Sequence, residues 1–482
     1  MRVLVIGGGG REHSIVQALC RDGGVSEIFC APGNAGIAGE IVSSTKNAVR
    51  CVDIKADDVD GIVAYVQTGG ARELAIDKVL SGGEASKCEP KFDLVVVAPD
   101  NPLAMGLVDR LEAVGVRAFG PKKAAAEIES SKAFAKDFMK RHNIPTARYK
   151  TFDSYNSAVG FIDGGLWGEQ SVDIDYENSI SKKGETASET IFEQAITYPL
   201  VIKADGLALG KGVIIAGDVA HAKQALKEMM LESAFGDSGS RVVIEEFLVG
   251  REVSVLAFTD GKTIVPMPAA CDYKRAYDND LGANTGGMGT FASPSFFDSK
   301  LKKEAMDNIY LPTIRGLESE GREFKGVLFF GLMVTDTGIK VIEYNARFGD
   351  PETQSILPLL KTDISKIFVA VTDTRLDKVK IEWQDKNCVT VVLASEGYPE
   401  NPIKNRPISI NADLLDKDII ITHAGTAKAS GALLTSGGRV LGVSATHKDL
   451  AVARQLVYNN IKHISFDGMM FRKDIAGCER IK

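Results

Sequence analysis

The sequence predicts a multidomain protein that combines α/β and α+β domains. Its 482 residues correspond to roughly three domains. Short β-branched runs alternate with helical patterns over residues 1–121, and strand patterns joined by tight turns dominate the middle of the chain. From residue 374 onward, strand and helix patterns mix again. We therefore expect an N-terminal parallel-sheet domain, a central α+β region and a small C-terminal α/β domain.

Composition narrows the class of protein. Hydrophobic residues make up 44% and charged residues 25% of the chain, as in globular domains. A net charge of -7 disfavours a nucleic-acid partner, which would require a basic stripe. Seven scattered cysteines, without zinc-ligand spacing, indicate reduced thiols. Since neither a signal peptide nor a membrane span is evident, we expect a cytoplasmic protein without a membrane partner.

The N-terminal region predicts a Rossmann-like domain over residues 1–121. Strand patterns at residues 3–6, 27–30 and 93–98 alternate with helical patterns that include residues 12–20 and 103–114. Alternation of this kind indicates a parallel sheet with helices on both faces. Ligands of such sheets bind at the carboxyl ends of the strands, where three polar, turn-rich loops follow.

The glycine run at residues 7–10 does not match a dinucleotide-binding fingerprint. Glu12 and His13 stand where the fingerprint requires its third glycine, which disfavours a nicotinamide-dependent dehydrogenase. The remaining interpretation is a glycine turn that opens a helix, whose N–H groups could hold a phosphate with Arg11 nearby. A merely tight turn is the alternative.

The middle of the chain begins at Gly120-Pro121 and carries strand patterns that end in hairpins. Asp336-Thr337-Gly338 predicts a tight turn between two strands. Two segments, 68–90 and 163–190, are typical of surface insertions. The predicted helices cover residues 122–141, 220–230 and 298–320. The predicted strands cover residues 199–203, 213–216, 241–246, 252–258, 327–335, 339–345, 388–394 and 439–446, and a long loop covers residues 271–289.

A second glycine loop, residues 203–212, differs from a Walker A loop. Three residues separate its glycines where four are required, and Gly212 follows Lys211 where Ser or Thr is required. Because strands flank the loop, it should be a hairpin tip that could fold over nucleotide phosphates, with Lys203 and Lys211 as cations. An ordinary exposed turn is the alternative.

Glu343, Asn345 and Arg347 occupy alternate positions at the end of a predicted strand. Side chains at alternate positions point to the same face, so these three should project together while Tyr344 and Ala346 face the other way. Oxygen ligands and a guanidinium suit a magnesium nucleotide undergoing phosphoryl transfer. The alternative is a polar strand end in solvent. No acid precedes them on residues 327–334.

The order of these elements resembles the ATP-grasp fold, in which two α+β lobes hold ATP. The order consists of a lysine entering a helix (Lys132), the lysine-flanked hairpin, Glu245-Glu246-Phe247-Leu248 and Glu343-x-Asn345-x-Arg347. Within that fold the chain resembles the glycinamide ribonucleotide synthetases, a family of phosphoribosylamine–glycine ligases. The resemblance rests on Arg11-Glu12-His13, Ala31-Pro32-Gly33-Asn34-Ala35-Gly36, Val201-Ile202-Lys203-Ala204-Asp205-Gly206-Leu207-Ala208, Asn284-Thr285-Gly286-Gly287-Met288-Gly289 and Arg347-Phe348-Gly349-Asp350-Pro351-Glu352-Thr353-Gln354. The sequence departs from the family pattern at Gly8, Asp100, Tyr273 and Ala283.

The resemblance implies an ATP-dependent ligase of purine biosynthesis. ATP would convert glycine to glycyl phosphate, and 5-phosphoribosylamine would attack it to give glycinamide ribonucleotide, ADP and phosphate. It further implies an N-terminal substrate domain over residues 1–121, an ATP-grasp domain over 122–373 with a mobile lid over 148–247, and a C-terminal domain over 374–482. Another carboxylate–amine ligase, and a nucleotide-binding regulatory protein without catalysis, remain alternatives.

The resemblance also implies roles for individual residues. The catalytic residues would be Arg347, Lys211 and Asp272. The ATP-binding residues would be Lys132, Lys203, Gly206, Gly210, Lys211, Gly212, Glu245, Glu246, Phe247, Leu248 and Glu252. The substrate-binding residues would be Gly9, Gly10, Arg11, Asn34, Asp272, Lys274, Arg347, Asp350 and Glu352. Glu343 and Asn345 would bind Mg²⁺ or Mn²⁺, and the expected assembly is a monomer or weak homodimer.

Overall fold

The computed structural model describes residues 1–70, 91–167, 195–207, 212–232 and 239–477. The chain forms two compact units. The first contains residues 1–146, 209–211 and 249–482, and the second contains residues 147–208 and 212–248. The domain boundaries given above stay predictions. Most of both predicted insertions lies outside the described residues, as do Gly210 and Lys211.

The first unit begins with a five-stranded parallel sheet, as predicted. Its strands are β1 (Arg2–Gly7), β2 (Glu27–Pro32), β3 (Arg50–Cys51), β4 (Leu94–Val97) and β5 (Ala118–Phe119). Their order is β3-β2-β1-β4-β5. The side chains of β1 and β4 are buried, as expected for parallel strands that helices cover on both faces.

In the described part of this region, four helices accompany the sheet. They are α1 (Gly10–Arg21), α2 (Val59–Gln67), α3 (Asp100–Ala104) and α4 (Leu107–Ala113). The prediction of one helix over residues 103–114 is wrong. The chain breaks at Gly106, whose φ of 85° lies in the left-handed region that glycine adopts without steric cost.

Two further helices, α5 (Lys123–Ser130) and α6 (Lys132–Arg141), replace the single helical segment predicted over residues 122–141. Ser131 separates them and caps α6, since its hydroxyl accepts a hydrogen bond from the Phe134 N–H at 3.0 Å. Lys132 is therefore the first residue of a helix, as the sequence indicated.

Over its described residues, the second unit is a four-stranded antiparallel sheet with two helices. Its elements are β6 (Tyr149–Phe152), α7 (Tyr155–Gly164), β7 (Leu200–Ala204), β8 (Val213–Ala216), α8 (Val219–Met230) and β9 (Val242–Glu246). The strand order is β6-β9-β7-β8. Because β7 pairs antiparallel with β8, the two strands form a hairpin, as predicted, and most of its glycine-rich tip lies outside the described residues.

After residue 249 the chain returns to the first unit and forms six strands in succession. They are β10 (Arg251–Asp260), β11 (Ile264–Pro266), β12 (Ala270–Asp272), β13 (Arg275–Tyr277), β14 (Leu281–Asn284) and β15 (Gly289–Ala292). The prediction of one long loop over residues 271–289 is therefore wrong. The pair β13 and β14 forms an antiparallel hairpin inside that segment, despite its many glycine and asparagine residues.

The predicted helix over residues 298–320 is present, with a π-helical turn in its centre. It consists of α9 (Ser299–Ala305), the π turn Met306–Tyr310 and α10 (Leu311–Ser319). Two long strands follow, β16 (Lys325–Thr335) and β17 (Gly338–Asn345), and Thr335 pairs with Gly338 across the predicted tight turn.

The rest of the chain adds three helices and seven strands among the described residues. They are α11 (Glu352–Ile356), α12 (Ile364–Thr372), β18 (Asn387–Ala394), β19 (Ser409–Ile410), β20 (Ile420–His423), β21 (Thr426–Ala429), β22 (Ala432–Thr435), β23 (Arg439–His447), α13 (Leu450–Ile461) and β24 (Ile464–Ser465).

One nine-stranded sheet unites most of the second half of the chain. Its order is β17-β16-β10-β12-β15-β18-β23-β20, with β11 on the side of β10. Because β15 pairs with β18, the strands that follow residue 374 extend the sheet that begins with β17. The C-terminal segment is consequently part of the first compact unit.

The two faces of this sheet bury different cores. Leu332, Phe330 and Tyr344 belong to a cluster that also contains residues of α5, α6 and α10. Leu256 and Phe329 belong to another cluster, together with residues of α1 and α12. Among the described residues, none of the helices has the combination of length and apolar character that spanning a membrane requires.

A leucine pair tests the contribution of the sheet core to stability. Leu332→Ala, at a fully buried position, should lower the free energy of unfolding by about 2–5 kcal/mol. Leu281→Ala makes the same change at a side chain that is 63% exposed, and should alter it by less than about 0.5 kcal/mol. Urea unfolding followed by circular dichroism measures both, and equal losses would contradict the assignment of Leu332 to the core.

Candidate active site

The polar end of β17 has the alternation that the sequence predicted. Tyr344 and Ala346 are buried, and the Tyr344 hydroxyl lies 2.9 Å from that of Thr313. Glu343 and Asn345 point to the opposite face and are partly buried. Gly331 lies opposite Glu343 in β16, and a Cβ atom there would lie 3.2 Å from Glu343 Cγ. The absence of a side chain at Gly331 therefore leaves room for the Glu343 carboxylate.

Arg347 follows β17 and forms an ion pair with Glu129 of α5, at 3.0 Å. It also donates hydrogen bonds to the Asn345 side-chain oxygen and the Phe348 carbonyl, both at 3.1 Å. The Ala346 N–H donates to the other Glu129 oxygen at 2.7 Å. These contacts fix the guanidinium beside the end of β17.

Burial raises the pKa of Glu129, and the positive charge of Arg347 opposes that shift. The site therefore contains a buried carboxyl group whose charge is compensated by Arg347, by the hydrogen bond from the Ala346 N–H and by Arg11. The motif comparison missed Glu129. The signal was present, however, because Ala125, Ile128 and Glu129 have the spacing of a buried helix face, on which an acid is unusual.

The donor set at the end of β17 fits a magnesium or manganese ion. Glu343 offers carboxylate oxygens and Asn345 an amide oxygen, which are hard ligands. The Asn345 oxygen also accepts a hydrogen bond from Arg347, so this contact orients it. No group of three or more acidic, histidine or cysteine side chains with metal-binding geometry occurs in the described part of the chain. Two protein ligands with substrate phosphates and water are a common arrangement for Mg²⁺.

A second group of charged side chains surrounds the start of residues 271–289, called the glycine-rich segment below. Lys274 pairs with Glu252 of β10, while Glu352 of α11 accepts a hydrogen bond from Ser254 at 3.3 Å. Burial raises the pKa of Asp272 and the nearby Glu352 carboxylate raises it further. Two acids are thus held in one buried environment, with Lys274 as the neighbouring cation.

Gly287 allows close packing around Asp272, because it has no side chain. Its φ is 110°, and a Cβ atom there would lie 2.4 Å from Pro351 Cδ and 2.7 Å from an Asp272 carboxylate oxygen. A residue with a side chain would clash with both groups. Gly287 therefore brings the glycine-rich segment against the chain between β17 and α11.

The N-terminal loop reaches the same region. Arg11 pairs with Glu12 at 2.6 Å and donates to the Phe348 carbonyl at 3.2 Å. The Gly9 N–H donates to Glu12 at 2.6 Å, and a Cβ atom on Gly9 would lie 3.5 Å from an Asp350 oxygen. Gly9, Arg11 and Asp350 are therefore close to one another, as expected if they form one substrate site.

Asp350 is an ionised group in spite of its burial. Burial acts to raise the pKa of Asp350, but Arg439, Arg11, the Gln354 amide and Arg347 together outweigh burial and hold the pKa below its ordinary value. Arg439 lies 3.3 Å from the carboxylate, and the Gln354 amide donates to it at 2.7 Å. Sequence comparison missed Arg439, although it directly follows the glycine turn Gly437-Gly438.

Asn34 lies at the N-terminal loops as predicted, and its side chain holds them together. Its amide oxygen accepts hydrogen bonds from the Gly36 and Ile37 N–H groups, at 2.9 and 3.0 Å. Its amide nitrogen donates to the Gly8 and His423 carbonyl oxygens, at 2.9 and 2.8 Å. In this arrangement Asn34 shapes the loop, and its contact with substrate stays a prediction.

Within the second unit, Lys203 and Glu245 form a buried ion pair at 2.8 Å. Glu246 pairs with Arg148 at 2.7 Å, and Phe247 is 39% exposed. The other predicted ATP-binding residues of this unit that the structure describes are Gly206, Gly212 and Leu248. Lys132 and Glu252 belong to the first unit.

Comparison with known proteins decides the family. Models of the N, ATP-grasp (A) and C domains of phosphoribosylglycinamide synthetase match residues 1–129, residues 130–172 with 169–353, and residues 388–478, respectively. The chain belongs to the phosphoribosylglycinamide synthetase family. Phosphoribosylamine–glycine ligase of Caldanaerobacter subterraneus is 42% identical over 476 residues, covering 99% of each chain. The family match confirms the ATP-grasp fold and the predicted ligase class.

Solved structures agree with this assignment. The crystal structure of phosphoribosylamine–glycine ligase from Thermotoga maritima is 30% identical and has a TM-score of 0.71. The match covers 98% of this chain and 100% of that one. The biotin carboxylase of Campylobacter jejuni is only 13% identical, with a TM-score of 0.65 over 98% and 92% of the two chains, and shows the shared fold alone. The roles of individual residues in this phosphoribosylglycinamide synthetase family member stay predictions.

The pair of Arg347 and Glu129 makes stability depend on pH in a defined direction. Arg347→Ala should cost about 2–4 kcal/mol at neutral pH, because it leaves a buried carboxylate without its guanidinium. Without Arg347 the pKa of Glu129 rises further in the folded state, so the folded variant binds a proton that the unfolded chain has lost. Burial already holds the pKa of Glu129 in the wild-type protein above its ordinary value of 4.5, so the cost should grow as pH rises above that wild-type pKa.

Urea unfolding at about pH 5.5 and about pH 8 measures this effect. Adding Glu129→Gln to Arg347→Ala should remove the extra pH dependence. Glu127, on the same helix as Glu129, and Arg322 provide a control pair that is 2.7 Å apart and more exposed. Breaking the control pair should cost less than about 1 kcal/mol. A pH-independent cost of Arg347→Ala would contradict the proposed compensation.

Proposed function

We propose that the protein joins glycine to 5-phosphoribosylamine, with glycyl phosphate as the intermediate, and releases glycinamide ribonucleotide, ADP and phosphate. Family membership supports the ligase reaction. The observation that carries the mechanism is the guanidinium of Arg347, held by Glu129 and adjacent to Asn345 on the face that carries Glu343. A fixed cation beside oxygen ligands suits phosphoryl transfer to a carboxylate.

The reaction has two steps. A carboxylate oxygen of glycine attacks the γ-phosphorus of ATP, and the bond to the ADP oxygen breaks, so that ADP leaves with the electron pair. The amine nitrogen of phosphoribosylamine then attacks the acyl carbon, the bond to phosphate breaks, and the nitrogen loses a proton. The first step converts a poor acyl donor into a good one.

Arg347 stabilises the negative charge on the transferred phosphoryl group and on the acyl phosphate. Glu343 and Asn345 hold Mg²⁺ or Mn²⁺, which when bound neutralises charge on the nucleotide phosphates. Because Glu129 anchors Arg347 on the side of α5, the guanidinium is already placed before substrate arrives. Such preorganisation avoids the cost of orienting the cation during the reaction.

Glycine is bound as a zwitterion in an orientation that the charges define. Its carboxylate faces Arg347, and its ammonium group faces the acidic pair Asp272 and Glu352. The raised pKa of Asp272, caused by burial and by Glu352, indicates two acids that a substrate cation would relieve. Lys274 is held beside them through its ion pair with Glu252.

The remaining assignments complete the proposal. The loop of Gly9, Gly10, Arg11 and Asn34 binds the phosphoribosyl group, and Asp350 helps to hold glycine. Cytoplasmic location and a monomer or weak homodimer are also proposed. The residues proposed to bind ATP are Lys132, Lys203, Gly206, Gly210, Lys211, Gly212, Glu245, Glu246, Phe247, Leu248 and Glu252, with Lys211 also catalytic.

Substrate omission tests the reaction. ADP should form from magnesium ATP only when both glycine and freshly prepared phosphoribosylamine are present. Arg347→Ala should lower kcat by at least about 100-fold while ATP binding persists, because it removes a cation that acts on the transition state. Arg110→Ala removes a surface arginine paired with Asp60 and serves as control. Equal ADP formation without the amine would refute the ligase proposal.

Titration with metal ions tests the role of β17. Glu343→Gln keeps the shape of the side chain but removes its charge, so the Mg²⁺ concentration for half-maximal rate should rise by about tenfold or more. Asp307→Asn provides the control, because Asp307 is a surface residue paired with Lys303. The rates are measured at fixed ATP with Mg²⁺ and Mn²⁺. Identical metal dependence of Glu343→Gln and wild type would exclude this ligand.

A further inference from the structure

Arg439 lies at the beginning of β23, in the C-terminal part of the chain, and contacts two separate walls of the proposed substrate site. It donates a hydrogen bond to the Gly286 carbonyl at 2.5 Å and to the Asp350 carbonyl at 2.8 Å. It also forms an ion pair with the Asp350 carboxylate at 3.3 Å. One guanidinium therefore links the glycine-rich segment to the chain between β17 and α11.

Gly286 and Tyr398 pack closely around the Arg439 guanidinium and its hydrogen bond to Gly286. A Cβ atom on Gly286 would lie 3.0 Å from Arg439 Cζ, so the backbone packs directly against the guanidinium. The Tyr398 hydroxyl accepts a hydrogen bond from the Gly286 N–H at 3.0 Å. A Cβ atom on Gly438 would lie 2.2 Å from the Tyr398 ring, so that glycine makes room for the tyrosine. Two side chains of the C-terminal segment thus hold both polar groups of the Gly286 backbone.

We propose that Arg439, with Tyr398, is a positioning residue for glycine: it fixes the segment that carries Asp272 and Gly287 against the segment that carries Asp350 and Glu352. This inference rests on the proposed function. The two segments meet where Gly287 packs on Pro351 and on the Asp272 carboxylate. Arg439 bridges them one residue away from that contact, at Gly286 on one side and Asp350 on the other.

Arg439 also sets the charge of one wall of the site. Asp350 faces three guanidinium groups, those of Arg439, Arg11 and Arg347, while Glu352 is the acid that opposes its ionisation. Arg439 in turn faces Asp350, Tyr398, Asp272 and Glu352. Removal of the Arg439 charge should raise the pKa of Asp350, because one of the cations that outweigh its burial is lost.

The test compares Arg439→Gln, Arg439→Lys and Tyr398→Phe with the wild-type enzyme. Arg439→Gln should raise KM for glycine by about tenfold to hundredfold, since it removes hydrogen bonds from a charged group. KM for ATP should stay unchanged. Arg439→Lys keeps the charge and should recover part of the loss. Tyr398→Phe removes one neutral hydrogen bond and should raise KM for glycine by about twofold to tenfold.

A pH profile separates positioning from general stabilisation. In Arg439→Gln the acidic limb of kcat/KM for glycine should move to higher pH, since the carboxylate of Asp350 is then protonated more readily. In Tyr398→Phe the limb should stay in place. Arg454→Gln is the matched control, because Arg454 also binds two backbone carbonyls, those of Ile475 and Lys473, in the C-terminal segment.

The results have distinct meanings. An unchanged KM for glycine in Arg439→Gln would overturn the inference. The inference would also be overturned if KM for glycine and KM for ATP rose equally in Arg439→Gln, and if Arg454→Gln showed the same increases and the same melting temperature. Failure of the wild-type protein to form ADP in a glycine-dependent manner would instead refute the proposed function. If Arg439→Gln does not fold, an unchanged KM for glycine in Tyr398→Phe overturns the inference.

Discussion

The ion pair between Arg347 and Glu129 connects two parts of the chain that are more than 200 residues apart, as the 217-residue separation of Ala346 and Glu129 shows. A carboxylate on a buried helix face is costly unless a cation and hydrogen bonds compensate it. Here the cation follows β17 and the hydrogen bond comes from Ala346. The same contacts that satisfy Glu129 fix the guanidinium, so α5 and the end of β17 must pack together before Arg347 has a defined place.

Arg347 in turn orders its neighbours. It orients the Asn345 amide, which is one of two proposed metal ligands, and it adds to the cations that keep Asp350 ionised. Arg11 and Arg439 complete that set from opposite ends of the sequence. The site is therefore a network of charges in the first compact unit, in which the arginines oppose the rise in pKa that burial causes at Glu129 and Asp350.

Local patterns in the sequence were sufficient to predict much of the fold and part of the site. Residues 343–347 alternate in type, and the structure alternates in burial at the same positions, because strand geometry alone sets that periodicity. The hairpin of β7 and β8 and the parallel sheet at the N-terminus also follow from local signals. The helix break at Gly106 and the hairpin of β13 and β14 were not predicted from local signals, since their conformations depend on packing rather than on propensity.

Contacts between distant residues were beyond prediction from one sequence. Nothing in the neighbourhood of Glu129 or Arg439 states which partner each meets, because the pairing of Arg439 with Gly286 and Asp350 depends on the way that β15, β18 and β23 join. Likewise, Asn34 was predicted as a substrate ligand from its motif, while its contacts with Gly8 and His423 arise only in the folded chain.

The continuity of the nine-stranded sheet has a consequence for dissecting the protein. Truncation near residue 374 would remove β18, β23 and β20 and leave β15 as an open edge. That edge carries Phe291 and Ala292, which are buried in the intact chain. An unpaired apolar edge strand is a template for association with other chains. The ATP-grasp region and the C-terminal segment therefore share one hydrogen-bonded sheet. A chain shortened near residue 374 should aggregate instead of folding.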